Sequence, residues 1–160
     1  MGTISVVWGS ATGPTPMSAY DAALAEANLH NYNLIPVSSV IPADATVDAV
    51  GDAPDLGPAG NRLTVVEAKA VTAAPGRATA GLGWATGPGP GLFYESTGED
   101  EGVVRERVLE GLAAGAELRE WALPDTETRV VSASSESEYV AAVVLAAYGE
   151  SEPVFDGTKP

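Results

Sequence analysis

Apolar and β-branched residues dominate "TISVVWGS" (residues 3–10), and small residues follow in "GSATGPTP". That order predicts a strand and then a turn. Thr15 offers an N-cap with Pro16 at the first helical position. In the following "MSAYDAALAEANL", Met17, Tyr20, Leu24 and Ala27 recur at helical spacing and give one apolar face, with Asp21 near its edge. The chain returns through "NYNLIPVSSVI" (31–41), a second extended segment, and residues 42–61 form a Pro, Gly and Asp-rich connection expected on the surface. "RLTVVEAKAVTA" and "RATAGLGWAT" flank a Pro75-Gly76 turn, and "GPGPGLFYES" carries a further strand, which predicts a β-meander. "EDEGVVRERVLEGLAAGAEL" opens with acidic residues and places Val103, Val104, Val108, Leu109 and Leu112 as an amphipathic helix would. "REWAL" and "TRVVSAS" read as a closing hairpin. "EYVAAVVLAAY" permits helix through its alanines, but its valines favour a buried strand. Two rounds of strand, helix and paired strands follow, from near Thr3 and near Leu92, without a sequence repeat. The expected class is an α/β (α+β) sandwich.

Length keeps this to a single domain, because 160 residues support one sizeable core and not two. Charge changes the picture more. Against 22 Asp and Glu stand 8 Lys and Arg, a formal net charge of -14, and the only lysines are Lys69 and Lys159. Such a surface repels nucleic acid and anionic membranes and attracts small cations. It also matches the generally acidic proteins of salt-loving organisms. With no cysteine and only His30 as histidine, disulfides, thiolate zinc sites and most Cys or His general-base chemistry are excluded. No apolar run has the length of a membrane span, and no basic region precedes the first one, so a cytoplasmic protein is expected.

Three motifs carry less than they suggest. "GLGWATGPGPG" (81–91) lacks the Lys-Ser/Thr of a phosphate loop and the spacing of a dinucleotide fingerprint, so it reads as turn. Glu99, Asp100 and Glu101 suit a helix start, and no metal is assigned to them. His30, between helix and strand, reads as a capping or surface group, with the lining of a pocket as the lesser alternative.

Ser38-Ser39 is more informative, though not as a dipeptide, since Ser134-Ser135 occurs in the same chain. The first pair interrupts the apolar run "NLIPVSSVIP". A buried hydroxyl left without a partner costs about 1–3 kcal/mol, so two at a strand centre suggest a use. The segment resembles the self-cleavage site of pyruvoyl-dependent arginine decarboxylases, with Asn33, Ser38 and Ser39 at the family's spacing. "GSATGPTPMSAYDAAL" is similar to that family's first loop and helix, and "GLFYE" to the strand ending in its catalytic glutamate. The likeness spans residues 3–148, with consistent intervals between Asp21, Asn33, Ser39 and Glu95.

The resemblance implies a four-layer αββα sandwich. It further implies autocatalytic cleavage into residues 1–38 and 39–160, with Ser39 becoming a covalent pyruvoyl group. Asn33 would polarise the scissile carbonyl and Glu95 would return a proton to the substrate. Asp21 would face the guanidinium of L-arginine, with Leu24 and Met17 lining its aliphatic part. The resemblance also implies homotrimers with active sites between subunits, with or without pairing into hexamers, and agmatine and carbon dioxide as products, the former feeding polyamine synthesis or archaeal transfer-RNA modification. His30 and Tyr32, bulkier than the family pattern, and a longer tail after Tyr148 are departures. Two other readings compete: an unprocessed relative acting as a cation-binding or structural oligomer, and a serine hydrolase using Ser39, which His30 alone would have to serve.

Overall fold

Small residues decide how the first helix meets the first strand. In the computed structural model, which describes residues 2–155 and so leaves Lys159 outside, β1 runs over Thr3–Gly13 and α1 over Pro16–Glu26. Thr15 and Ser18 close a capping box, each side-chain oxygen accepting from the other's backbone N–H at 3.0 Å. The helix buries Ala19, Ala23 and Leu24, with Ala27 just past its end. At Gly9 and Gly13 a β-carbon would run into the α1 backbone, so only glycine permits so close an approach. Met17, expected on the apolar face, is instead 70% exposed, because the alanine seam leaves the side of α1 that bears Met17 and Asp21 turned outward.

The predicted second extended segment is not one strand. It divides into β2 (Asn33–Pro36) and β3 (Val40–Ile41), and the two belong to different sheets. A strand the sequence reading missed, β4 (Thr46–Gly51), lies within the Pro and Gly-rich connection and pairs in parallel with β1. β5 (Arg62–Thr72) and β6 (Gly76–Thr86) flank the Pro75-Gly76 turn as expected, but they enter opposite sheets, so the meander is confined to β6 and β7 (Gly91–Gly98). Gly81 and Gly83 lie inside β6 and not in a turn. They let α2 (Glu101–Arg119) pack down through Val104 and Val108. Asp100 caps α2 by accepting from the Val103 N–H at 3.0 Å. Arg119 and Glu120 end that helix, so "REWAL" forms no strand. β8 (Asp125–Ser135) pairs with β6, and β9 (Tyr139–Tyr148) crosses to the other sheet, so no closing hairpin forms.

One sheet has the order β2-β5-β9-β1-β4 and the other β3-β7-β6-β8. β9 shows why the valine-rich ending is a strand. Val140, Ala142, Val144 and Ala146 enter the core between the sheets, while Ala141, Val143, Leu145 and Ala147 enter the core beneath α1. A two-residue period buried on both faces is satisfied only by a central strand. A third cluster joins Leu92 and Ala85 to Val108 and Leu112 of α2. The layers are therefore α1, first sheet, second sheet and α2, the expected αββα sandwich. No helix among the described residues is long and apolar enough to cross a membrane.

Candidate active site

Ser38 and Ser39 lie in the three-residue passage from one sheet to the other. Ser38 is exposed and Ser39 partly buried, so the pair is not buried in a strand centre as the sequence pattern suggested. The passage leaves the first sheet where the Val37 N–H donates to the Val65 carbonyl at 2.9 Å. It joins the second where the Phe93 N–H donates to the Ser39 carbonyl at 2.7 Å, one rung beyond the Val40–Leu92 pair. The Ser38–Ser39 peptide thus stands between two anchored ends. Ser39, Leu92, Tyr94, Gly111, Gly115 and Leu118 border a cleft of about 310 Å³ against α2.

Glu95 follows two residues after Phe93 on the same face of β7. Glu95 is exposed, yet desolvation by the protein on its inner side raises its carboxyl above the ordinary carboxylate range. Beside it stands Tyr148, a residue the sequence reading did not select, whose hydroxyl donates to the Val40 carbonyl at 2.9 Å. Burial, and then the charge of Glu95, push the Tyr148 phenol up to about 12. The one available signal was a polar tip closing an otherwise apolar strand.

The remaining predicted residues gather elsewhere. Met17, Asp21, Leu24 and Asn33 line a separate open cleft of about 520 Å³ between α1 and β2, together with His30 and Tyr32. His30 is exposed, as a surface group should be, yet borders this cleft. Tyr32 faces inward instead: its hydroxyl donates to the Gly57 carbonyl at 2.9 Å and accepts from the Leu56 N–H at 3.2 Å. Asn33 donates its side-chain N–H to the Gly60 carbonyl at 2.8 Å. The Asn33 amide is thus engaged by Gly60, in a cleft other than the one that Ser39 borders. Tyr20 fastens α1 to β5: its hydroxyl donates to Glu67 Oε2 at 2.6 Å, and Lys69 Nζ lies 4.3 Å from its ring centroid. One chain therefore places Asp21 and Asn33 in one cleft and Ser39 at the border of another, with Glu95 two residues beyond Phe93, the residue whose N–H holds Ser39.

Comparison with known proteins covers the whole fold. A family model described as pyruvoyl-dependent arginine decarboxylase matches residues 3–153, from the start of β1 to beyond β9. A protein of that name from Halobacterium salinarum is 59% identical over 98% of this chain and 99% of its own length. Relatives of the same name from Pyrococcus horikoshii (34% identical, 87% of this chain and 91% of theirs) and Thermococcus sibiricus (33%, 84% and 86%) match at greater distance. With both sheets and both helices inside the match, the chain belongs to the pyruvoyl-dependent arginine decarboxylase family.

Proposed function

We propose that this protein decarboxylates L-arginine to agmatine and carbon dioxide in the cytoplasm, using a pyruvoyl group it makes from its own Ser39. The observation that carries this reading is the position of Ser38–Ser39 in the passage between sheets, with the Ser39 and Val40 carbonyls held by Phe93 and Tyr148. A peptide outside both ladders is accessible to attack, and a fixed residue 39 suits a group that must keep its orientation afterwards.

Self-cleavage balances as follows. Ser39 Oγ attacks the Ser38 carbonyl carbon, its proton passes to the departing amide nitrogen, and the amide becomes an ester. Loss of the residue 39 α-proton breaks the Cβ–Oγ bond, so Ser38 leaves as a carboxylate that keeps the Ser39 oxygen. The dehydroalanine then takes up one water and releases one ammonia, leaving the pyruvoyl ketone on residues 39–160.

The pyruvoyl carbonyl supplies the electron sink that carbon dioxide loss requires and no ordinary side chain offers. The chain's own residues do the rest. Glu95, its carboxyl favoured in the protonated form by desolvation, returns a proton to the α-carbon. Asp21 accepts two parallel hydrogen bonds from the guanidinium. Leu24 and Met17 cover the aliphatic part, and the Asn33 amide polarises a Ser38 carbonyl.

Because Asp21 and Asn33 line one cleft of the chain while Ser39 borders another, we infer that the α1–β2 cleft of one copy meets Ser39 and Glu95 of the next in a homotrimer, which could pair further into a hexamer. Apolar side chains exposed around the passage, Ile35, Val37, Val40 and Leu118, support a surface that a second copy covers.

The test is the intact mass of purified protein under denaturing conditions, followed by release of labelled carbon dioxide from arginine. Two chains, 1–38 and 39–160, with the longer one reactive toward carbonyl reagents, are expected for wild type. Ser39→Ala should stay one inactive chain. An intact wild-type chain overturns the reading.

A further inference from the structure

We propose Tyr148 as a positioning residue that holds the start of the 39–160 chain in register with Glu95; this rests on the reading of Ser39 given above. Tyr148 ends β9 in the first sheet and Val40 begins β3 in the second, so their 2.9 Å hydrogen bond ties the two sheets together at the passage. Before cleavage, residue 39 is anchored from both sides. After it, residue 39 is a chain end, and the only strand holding it is β3, two residues long. Such an end frays unless something outside the ladder grips it. Two consecutive carbonyls are gripped: Ser39 by the Phe93 amide at 2.7 Å, and Val40 by the Tyr148 phenol.

The same side chain steadies the second grip. The Tyr148 ring lies 6.1 Å, centroid to centroid, from that of Phe93, whose own side chain is buried. Hydroxyl and ring of one residue therefore bear on both carbonyls that orient residue 39. Glu95 is close enough for its charge to act on the phenol, which places the proton donor beside the same anchor. The phenol keeps its proton at neutral pH and remains a donor to Val40. Its hydrogen bond goes to the Val40 carbonyl and its ring to Phe93, so Tyr148 acts through residues 39 and 40.

The experiment compares wild type with Tyr148→Phe, which keeps the ring and deletes only the hydroxyl. Expected for Tyr148→Phe are slower self-cleavage by intact mass and a kcat lower by about 10- to 100-fold, as small misplacements of reacting groups produce. The KM for arginine should stay within about twofold, because Asp21 binds from the other cleft. Hydrogen exchange in the peptide beginning at residue 39 should accelerate while the melting transition stays cooperative. A folded variant that remains uncut also supports the proposal, since the same grip sets the scissile bond. Unchanged kcat, cleavage and exchange in a cleaved wild-type background overturn it alone, and so does loss of the cooperative melt, which would make the residue purely structural. A wild-type chain that is never cut at Ser38–Ser39 overturns the underlying reading and this proposal with it.

Discussion

The Tyr94 ring packs against Gly111 of α2 so closely that a β-carbon there would overlap three of its ring atoms. Alanine normally favours a helix interior over glycine by up to about 1 kcal/mol. Here overpacking should outweigh that gain, and we expect Gly111→Ala to lower stability by about 1–3 kcal/mol. Urea unfolding in a Ser39→Ala background, where the chain stays whole, measures it. A stabilised variant would mean that the ring can swing aside without loss.

Glu95→Gln should lower kcat by about 10²–10⁴-fold, the usual contribution of a general acid, and leave arginine binding nearly intact. Wild-type kcat should fall as pH rises through the elevated Glu95 value, because the protonated form is the donor. Stability carries the same sign. A carboxyl whose folded pKa is raised favours the folded state below its ordinary value, and that contribution is lost as pH climbs from the ordinary to the raised value. Melting curves of wild type and Glu95→Gln should therefore diverge over that interval, with wild type the one that weakens.

Asp21→Asn keeps size and removes charge. A charge-assisted hydrogen bond is worth about 1.5–3 kcal/mol, so kcat/KM for arginine should drop by about 10- to 150-fold, chiefly through KM. Self-cleavage should proceed normally, because Asp21 is assigned to the guanidinium of the substrate while Asn33 of the same cleft is assigned to the scissile carbonyl. Failure of cleavage in this variant would contradict that division of labour.

The formal net charge of -14 predicts a salt response. Raising ionic strength from 0.1 to 1 M shortens the screening length from about 10 to about 3 Å, which weakens repulsion among the carboxylates. The melting temperature should rise over that range. The two ion pairs among the described residues, Arg62–Glu152 and Arg77–Glu101, are surface pairs and offset little of this. A melting temperature independent of salt would argue against charge repulsion as a limit on stability.

Local chemistry was legible in the sequence. The Thr15 cap, the acid-led start of α2 and the buried β9 all follow from residues within a few positions of one another. Sheet membership was not legible, because it depends on pairing between distant strands. The Pro75-Gly76 turn has the same appearance whether it closes a hairpin or, as here, carries β5 into β6 of the opposite sheet. β4 was hidden by its polar neighbours and is held by a parallel partner more than thirty residues earlier. At the site, Ser39, Glu95, Asp21 and Asn33 were reached through family resemblance. That Asp21 and Asn33 line one cleft and Ser39 borders another had no sequence signal, and the hydroxyl of Tyr148 announced itself only by ending an apolar strand.

The passage at Ser38–Ser39 has a consequence for the life history of the molecule. Everything before it, β1, α1 and β2, belongs to the first sheet side of the sandwich, with β1 seated between β9 and β4. A break at that point severs no ladder rung, so the short piece stays threaded through the long one. Once unfolded, however, the two pieces must find each other by diffusion, and their re-encounter depends on concentration. An uncut chain can regain its own fold without meeting another piece. On the reading proposed above, cut protein should recover less completely after heating than Ser39→Ala at the same dilution, and the gap should widen as the sample is diluted.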